Sequence, residues 1–155
     1  LEDVNAFWRE LAQVSGQISA ASYALEDAAE DTETLVKMVG ASPSAPGTME
    51  VTLHSLRQEI YALEEALSGN ESKGSIGAYD EHRVTSWLWH AYGGVSESTY
   101  GPTPAHRQSL DNAKTEFEPI RVRLNAILSE ELPALRESLI ELGAPWGRGQ
   151  RIPAS

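Results

Sequence analysis

The sequence predicts an all-α protein, an antiparallel helical bundle, and three observations support this. Apolar residues recur at helical spacing in four separate segments, and Gly and Pro residues fall between those segments. No stretch shows the strict alternation of apolar and polar residues that is typical of a half-buried β-strand. The chain has 155 residues, the usual size of one domain. We therefore expect residues 1–155 to form a single helical domain.

The first predicted helix, residues 2–39, has the strongest pattern. One set of residues repeats every seven positions: Val4, Leu11, Ile18, Leu25, Thr32 and Val39. A second set follows three positions after the first five: Phe7, Val14, Ala21, Ala28 and Leu35. Together they form the a/d seam of a coiled coil or helical bundle. Gly40 is expected to end the helix, and the long seam makes a homodimer through it a hypothesis.

Three further helices are predicted at residues 49–68, 79–92 and 103–142. The second helix carries apolar residues three and four positions apart: Leu53, Leu56, Ile60, Leu63 and Leu67. One face of the third carries Val84, Trp87, Leu88 and Ala91, and Gly93-Gly94 is expected to end that helix.

The last helix has a clear start and a predicted irregularity. Thr103 suits the N-cap position and Pro104 the first helical position. The apolar spacing then shifts to a second set that begins at Leu128. Pro119 and Pro133 each remove a backbone donor inside the helix, so we expect the helix to bend at these points.

The helix lengths predict the architecture. The second and third helices together are about as long as the first or the last. This favours a three-helix, spectrin-like antiparallel bundle whose middle helix is interrupted at residues 69–77. A four-helix up-and-down bundle with one short member is the alternative.

Charge and composition exclude several kinds of partner. The net charge is -11, and such a surface repels the phosphates of nucleic acids and anionic membranes. No apolar run approaches the roughly 20 residues that cross a bilayer. The absence of Cys excludes disulfides, thiolate metal sites and Cys catalysis. We expect neither a nucleic-acid nor a membrane partner.

The sequence contains no recognisable catalytic, cofactor or metal-binding motif. The four histidines, His54, His82, His90 and His106, fall on different predicted elements, and none has metal-ligand spacing. No serine lies in a nucleophile elbow, and no Gly-rich phosphate loop is present. The acidic residues at 26–33 are interpreted as a solvated helix face. We therefore expect no catalytic residue, no cofactor and no metal.

Large aromatic residues are the candidate functional surface. Trp87 and Trp89 are two positions apart, so on a helix they face different directions. The candidate docking or ligand surface consists of Trp8, Trp87, Trp89, Tyr92, Tyr100 and Trp146. Exposed aromatics mark interfaces between proteins, although a platform for stacking sugars is the alternative.

The last half of the chain resembles a known type of protein. The segments that carry the resemblance are Tyr100-Gly-Pro-Thr-Pro104, Ala113-Lys-Thr-Glu-Phe117, Glu131-Leu-Pro-Ala-Leu135 and Gly143-Ala-Pro-Trp-Gly-Arg148. They are similar to the extreme C-terminus of large bacterial sortilin-like proteins with BNR-repeat, sialidase-type β-propellers, which are often labelled glycosyl hydrolases. The resemblance covers residues 83–153, and Gly147-Arg148-Gly149 departs slightly from the usual ending.

The resemblance implies a context and a function. It implies an exported parent, periplasmic or extracellular, in which any chemistry belongs to the propellers. This chain, which starts at Leu1, is then a C-terminal fragment. We expect a non-catalytic interaction or structural module whose partner is the β-propeller of the same parent. The alternative is a helical domain that binds a small molecule or a carbohydrate.

Overall fold

The computed structural model describes residues 2–69, 83–96 and 101–142, and every regular element among them is a helix. These elements are α1 (Glu2–Gly40), α2 (Gly47–Ser68), α3 (Val84–Ser96), α4 (Pro104–Ala126), a π-helical segment (Ile127–Glu131) and α5 (Leu132–Glu141). The predicted fold class is confirmed: the protein is an all-α helical bundle.

Helix α3 differs most from its predicted bounds. Residues 79–82 of the predicted helix lie outside the described residues. Helix α3 begins at Val84, because Arg83 is not helical and its carbonyl accepts the first helical bond, from the Trp87 N–H at 3.0 Å. It continues to Ser96 instead of ending at Tyr92. Glycine inside a helix costs only about 1 kcal/mol relative to alanine, so Gly93-Gly94 weakens this helix without ending it.

The contacts divide the chain into two compact units. Unit 1 contains Leu1–Tyr23 and Leu63–Arg123, and unit 2 contains Ala24–Ala62 and Leu124–Ser155. The organisation of the chain as one domain stays a prediction. Each unit is described separately below.

The core of unit 1 is formed by the apolar faces of its helices. The predicted seam of α1 is buried here, except that Val4 is only half-buried. The buried residues are Phe7, Leu11, Val14, Ile18, Ala21, Leu67, Val84, Leu88, Ala91, Leu110, Ala113, Phe117 and Ile120. Their spacing of three and four puts them on one side of each helix, so burying them removes apolar surface from water.

Polar contacts connect the helices of unit 1 at the edge of this core. The Tyr92 hydroxyl donates to Ser15 Oγ at 3.0 Å, which joins α3 to α1. Lys114 of α4 forms an ion pair with Glu10 of α1. This hydrogen bond with Glu10 raises the pKa of Lys114 above its ordinary value. Such half-exposed pairs contribute at most about 1 kcal/mol each.

The core of unit 2 is also apolar, with one polar residue in the seam. Thr32 is fully buried, and its Oγ1 donates to the Ala28 carbonyl at 2.7 Å, so the hydroxyl is not left unsatisfied. Met38 is buried where the seam predicted Val39, which is half-buried. The buried apolar residues are Leu25, Ala28, Leu35, Met38, Leu53, Leu56, Ile60, Leu124, Ile127, Leu132 and Leu139.

Three side chains connect α1 to α2 on the surface of unit 2. The guanidinium of Arg57 lies 3.5 Å from Glu33 Oε1, and the Tyr61 hydroxyl donates to the same oxygen at 3.4 Å. The Arg57 Nε donates to the Tyr61 hydroxyl at 3.3 Å, and this hydrogen bond raises the pKa of Arg57. The carboxylate thus accepts hydrogen bonds from two residues of α2.

The π-helical segment explains the shift in spacing before Pro133. Ile127 and Leu132 are both buried although they are five positions apart, and the Leu132 N–H donates to the Ile127 carbonyl. One extra residue in the turn therefore keeps both side chains on the same face. The prediction that Leu128 begins the second apolar set is wrong, because the wider turn places it at the surface, 37% exposed.

The other internal proline, Pro119, does not change the helix type. Helix α4 runs through Pro119 with no change of helix type, and Pro119 is exposed. The expected irregularity is thus found before Pro133, whereas α4 keeps its α-helical form at Pro119.

Replacing Gly16 with Ala is expected to stabilise the protein. Gly16 is exposed within α1, and a Cβ added there would meet nothing within 4 Å. The free energy of unfolding should rise by about 0.5–1 kcal/mol, as measured by urea denaturation. Gly101→Ala is the control, and it should lower the free energy of unfolding. Gly101 has a φ of +91°, and an added Cβ would lie 2.9 Å from Val4 Cγ2. A loss of stability in Gly16→Ala would contradict the prediction.

Candidate functional site

Within unit 1, α3 and α4 border an open cleft of about 490 Å³. We call it the α3–α4 cleft. It is lined by Trp87, Trp89, His90, Gly93, Ala105, His106 and Ser109. The volume lies within the range that is typical of ligand pockets, roughly 300–1,000 Å³. The cleft is therefore large enough to hold a small molecule or a side chain of another protein.

Two indole rings line the α3 side of the cleft. Trp89 is 77% exposed, the largest exposed fraction among the large hydrophobic side chains of the described residues. Trp87 is half-buried, and its ring centroid lies 6.4 Å from that of His90 at a tilt of 56°. The two positions are about 200° apart around a helix, so the core can cover one ring while the other remains in water.

The structure describes four of the six aromatic residues that were predicted as one surface. Of these four, only Trp87 and Trp89 line the cleft. Trp8 lies on α1, 44% exposed, and does not line it. Tyr92 is half-buried with its hydroxyl bonded to Ser15. Tyr100 and Trp146 lie outside the described residues.

The α4 side of the cleft is built on a helix cap. Thr103 is the N-cap residue as predicted, because its Oγ1 accepts the His106 N–H at 3.3 Å. In return, the Thr103 N–H donates to His106 Nδ1 at 3.0 Å, and the Thr103 hydroxyl lies 2.9 Å from the same nitrogen. This is a capping box in which His replaces the usual Glu or Gln. The cap holds the His106 ring at the edge of the cleft.

Sequence reasoning missed His106 and Ser109. Ser109 lies one turn further along α4, and its hydroxyl donates to the Ala105 carbonyl at 3.0 Å. The Thr-x-x-His spacing at the start of the helix was the signal for His106, but a capping box is usually sought with Glu or Gln. No sequence pattern marks Ser109, because only the packing of α3 beside α4 places it in the cleft.

A second, smaller concavity of about 290 Å³ lies between α1 and α4 of unit 1. It is lined by Val14, Gln17, Lys114, Thr115, Phe117 and Glu118. Its charged side chains already have partners: Lys114 pairs with Glu10, and Glu118 accepts from Arg121 Nε at 2.9 Å. The latter hydrogen bond lowers the pKa of Glu118. These pairs occupy the charged groups of this concavity.

The described helices contain neither a cluster of metal ligands nor a membrane-spanning segment. Within the described ranges, no group of three or more His, Cys, Asp or Glu residues is arranged to hold a metal ion. His54 lies 3.9 Å from Glu50, one turn away on α2, and is exposed. No helix in the described part of the chain is long and apolar enough to span a membrane.

Comparisons with known proteins leave the family open. No protein-family model, no curated protein and no solved structure matches the chain. The resemblance to sortilin-like proteins therefore stays a prediction, and the functional argument rests on the α3–α4 cleft itself.

Proposed function

We propose that this chain is a non-catalytic helical interaction module that binds another protein through the α3–α4 cleft. The observation that carries the proposal is the exposure of Trp89, 77% of whose surface is in contact with solvent beside a concave surface. Covering a large apolar ring that is exposed to water lowers the free energy of the complex. Trp is also among the residues that most often dominate binding energy at protein interfaces.

The resemblance in the sequence suggests which partner to test first. It implies that this chain follows β-propeller domains in an exported parent, and those domains are then present at high effective concentration. Even a weak contact through the cleft would be populated in that arrangement. Immunoblotting of fractionated source cells tests the context: a polypeptide several times larger than these 155 residues, in the exported fraction, supports it.

Trp89→Ala is the direct test of the interaction. Binding of the helical chain to the propeller region should weaken at least about 30-fold in calorimetric titration, the effect of losing a 2 kcal/mol hot spot. The free energy of unfolding should change by less than about 0.5 kcal/mol, because Trp89 contributes little to the core.

Trp8→Ala is the matched control. Trp8 is also exposed, at 44%, but it does not line the cleft, so its replacement should leave the affinity unchanged. Equal loss of affinity in both variants would move the interface away from the cleft. Unchanged affinity in Trp89→Ala would refute the proposal.

A second candidate function is the binding of a small molecule or a carbohydrate. The combination of indole rings with the imidazoles of His90 and His106 and the Ser109 hydroxyl favours it, since sugar sites pair a flat apolar surface with polar groups. Titration with a panel of oligosaccharides, followed by tryptophan fluorescence, separates the two candidates. Saturable binding that Trp89→Ala abolishes would support the carbohydrate site, and no spectral change would favour docking.

A further inference from the structure

The described lining of the α3–α4 cleft is uncharged in a strongly acidic chain. Among the described residues, those that line the cleft include no Asp, Glu, Lys or Arg, whereas the chain as a whole carries a net charge of -11. An occupant with a negative charge would be repelled by the surrounding chain, and one with a positive charge would find no carboxylate to pair with among the described lining residues. The charge distribution therefore favours an uncharged occupant.

The cap of α4 determines which ring nitrogen of His106 carries the proton. A backbone N–H can only donate, so the bond from the Thr103 N–H requires Nδ1 to be an unprotonated acceptor. The neutral ring then carries its proton on Nε2, which is a donor. Among the described residues, no hydrogen bond engages Nε2. This donor is left for an occupant of the cleft.

Ser109 supplies the complementary group one turn further along α4. Its hydroxyl proton is used in the hydrogen bond to the Ala105 carbonyl, so its oxygen can only accept further hydrogen bonds. His106 and Ser109 thus offer one donor and one acceptor on neighbouring turns of the helix. A peptide group, which has one C=O and one N–H, is complementary to this pair.

We propose that the α3–α4 cleft recognises an uncharged peptide segment of a partner protein. An apolar side chain of that segment covers Trp89. The neighbouring backbone accepts a hydrogen bond from His106 Nε2–H and donates one to Ser109 Oγ. This inference rests on the proposed function, and it adds the chemistry of the partner and the roles of His106 and Ser109.

Three small probes test the predicted chemistry. N-acetyl-phenylalaninamide is uncharged, N-acetyl-phenylalanine carries a carboxylate, and N,N,N-trimethyl-phenylalaninamide carries a quaternary ammonium group that stays charged at every pH. Binding is followed through the indole N–H signals of the ¹H–¹⁵N NMR spectrum at pH 8, above the range in which histidines ordinarily change charge. The uncharged probe should bind with a dissociation constant in the millimolar range, and both charged probes at least several-fold more weakly. The affinity of the uncharged probe should be nearly independent of salt concentration.

Two variants of His106 separate its role in the cap from its role as a donor. His106→Gln keeps an acceptor for the Thr103 N–H and an outward N–H donor, so it should retain most of the binding. His106→Glu keeps the cap but has no donor, so it should bind the uncharged probe several-fold more weakly with an unchanged melting temperature. The ¹⁵N spectrum of the wild-type ring should show Nδ1 unprotonated and Nε2 protonated.

Several results would overturn the inference. They are a protonated Nδ1, a carboxylate probe that binds as tightly as the amide, full binding by His106→Glu, or no response of the indole signals to any probe. None of these decides the proposed function, which depends on the effect of Trp89→Ala on the propeller complex. Suppose that Trp89→Ala abolishes the propeller complex and that no probe binds the cleft. The docking proposal would then be supported, and the proposed recognition of an uncharged peptide would be refuted.

Discussion

Deleting Glu116 from α4 is expected to abolish cooperative folding. Glu116 is exposed, so the loss of its side chain alone would have little effect. Removing one residue rotates the rest of the helix by about 100°, which carries the buried Phe117, Ile120 and Leu124 away from the core. Each large side chain contributes about 1.5–3 kcal/mol when buried, so the sum is comparable to the total stability of a domain. Urea titration followed by circular dichroism should show no cooperative transition.

Deleting Ser129 from the π-helical segment is the matched control. It shortens the distance between Ile127 and Leu132 from five positions to four, which keeps both on the same face of a regular α-helix. The deletion is best made together with Pro133→Ala, because the proline ring would otherwise clash with a carbonyl of the restored α-helical turn. This variant should retain a cooperative transition. If both deletions unfold the protein, the π-helical segment is not the site that absorbs the extra residue.

Ile127→Ala is expected to destabilise the protein by about 2–5 kcal/mol, because it removes a fully buried side chain and leaves a cavity. The adjacent substitution Leu128→Ala should cost less than about 1 kcal/mol, since Leu128 is 37% exposed. The midpoints of urea denaturation, compared at a constant m-value, measure both losses of stability. The pair tests the register of the π-helical segment directly. Similar losses in the two variants, or a larger loss in Leu128→Ala, would contradict that register.

The sequence predicted the fold well wherever the apolar spacing was regular. The seam of α1 was correct from Phe7 to Leu35 because heptads constrain the buried face tightly over a long helix. Leu128 was misassigned because two different structures give the same spacing of apolar residues: one residue inserted into a helical turn, or a shift of the apolar face. Only the packing of the neighbouring helices distinguishes them. The non-helical conformation of Arg83 was missed because the segment before Val84 has no strong cap signal.

The candidate site was predicted only in part. Trp89 could be selected from the sequence because a large aromatic opposite an apolar face is expected to be exposed. The grouping of Trp89 with His106 and Ser109 could not, because it depends on the packing of α4 beside α3. Trp8 and Tyr92 shared the aromatic character of the site, but the structure places them elsewhere.

The exposure of Trp89 also has a consequence for the behaviour of concentrated solutions. An indole with 77% of its surface in water is a natural nucleus for association between identical molecules. Every copy carries a net charge of -11, so two copies repel each other before their indoles can meet. This colloidal barrier weakens as salt shortens the Debye length, to about 8 Å at physiological ionic strength. Ionic strength therefore determines how strongly copies of the molecule repel each other.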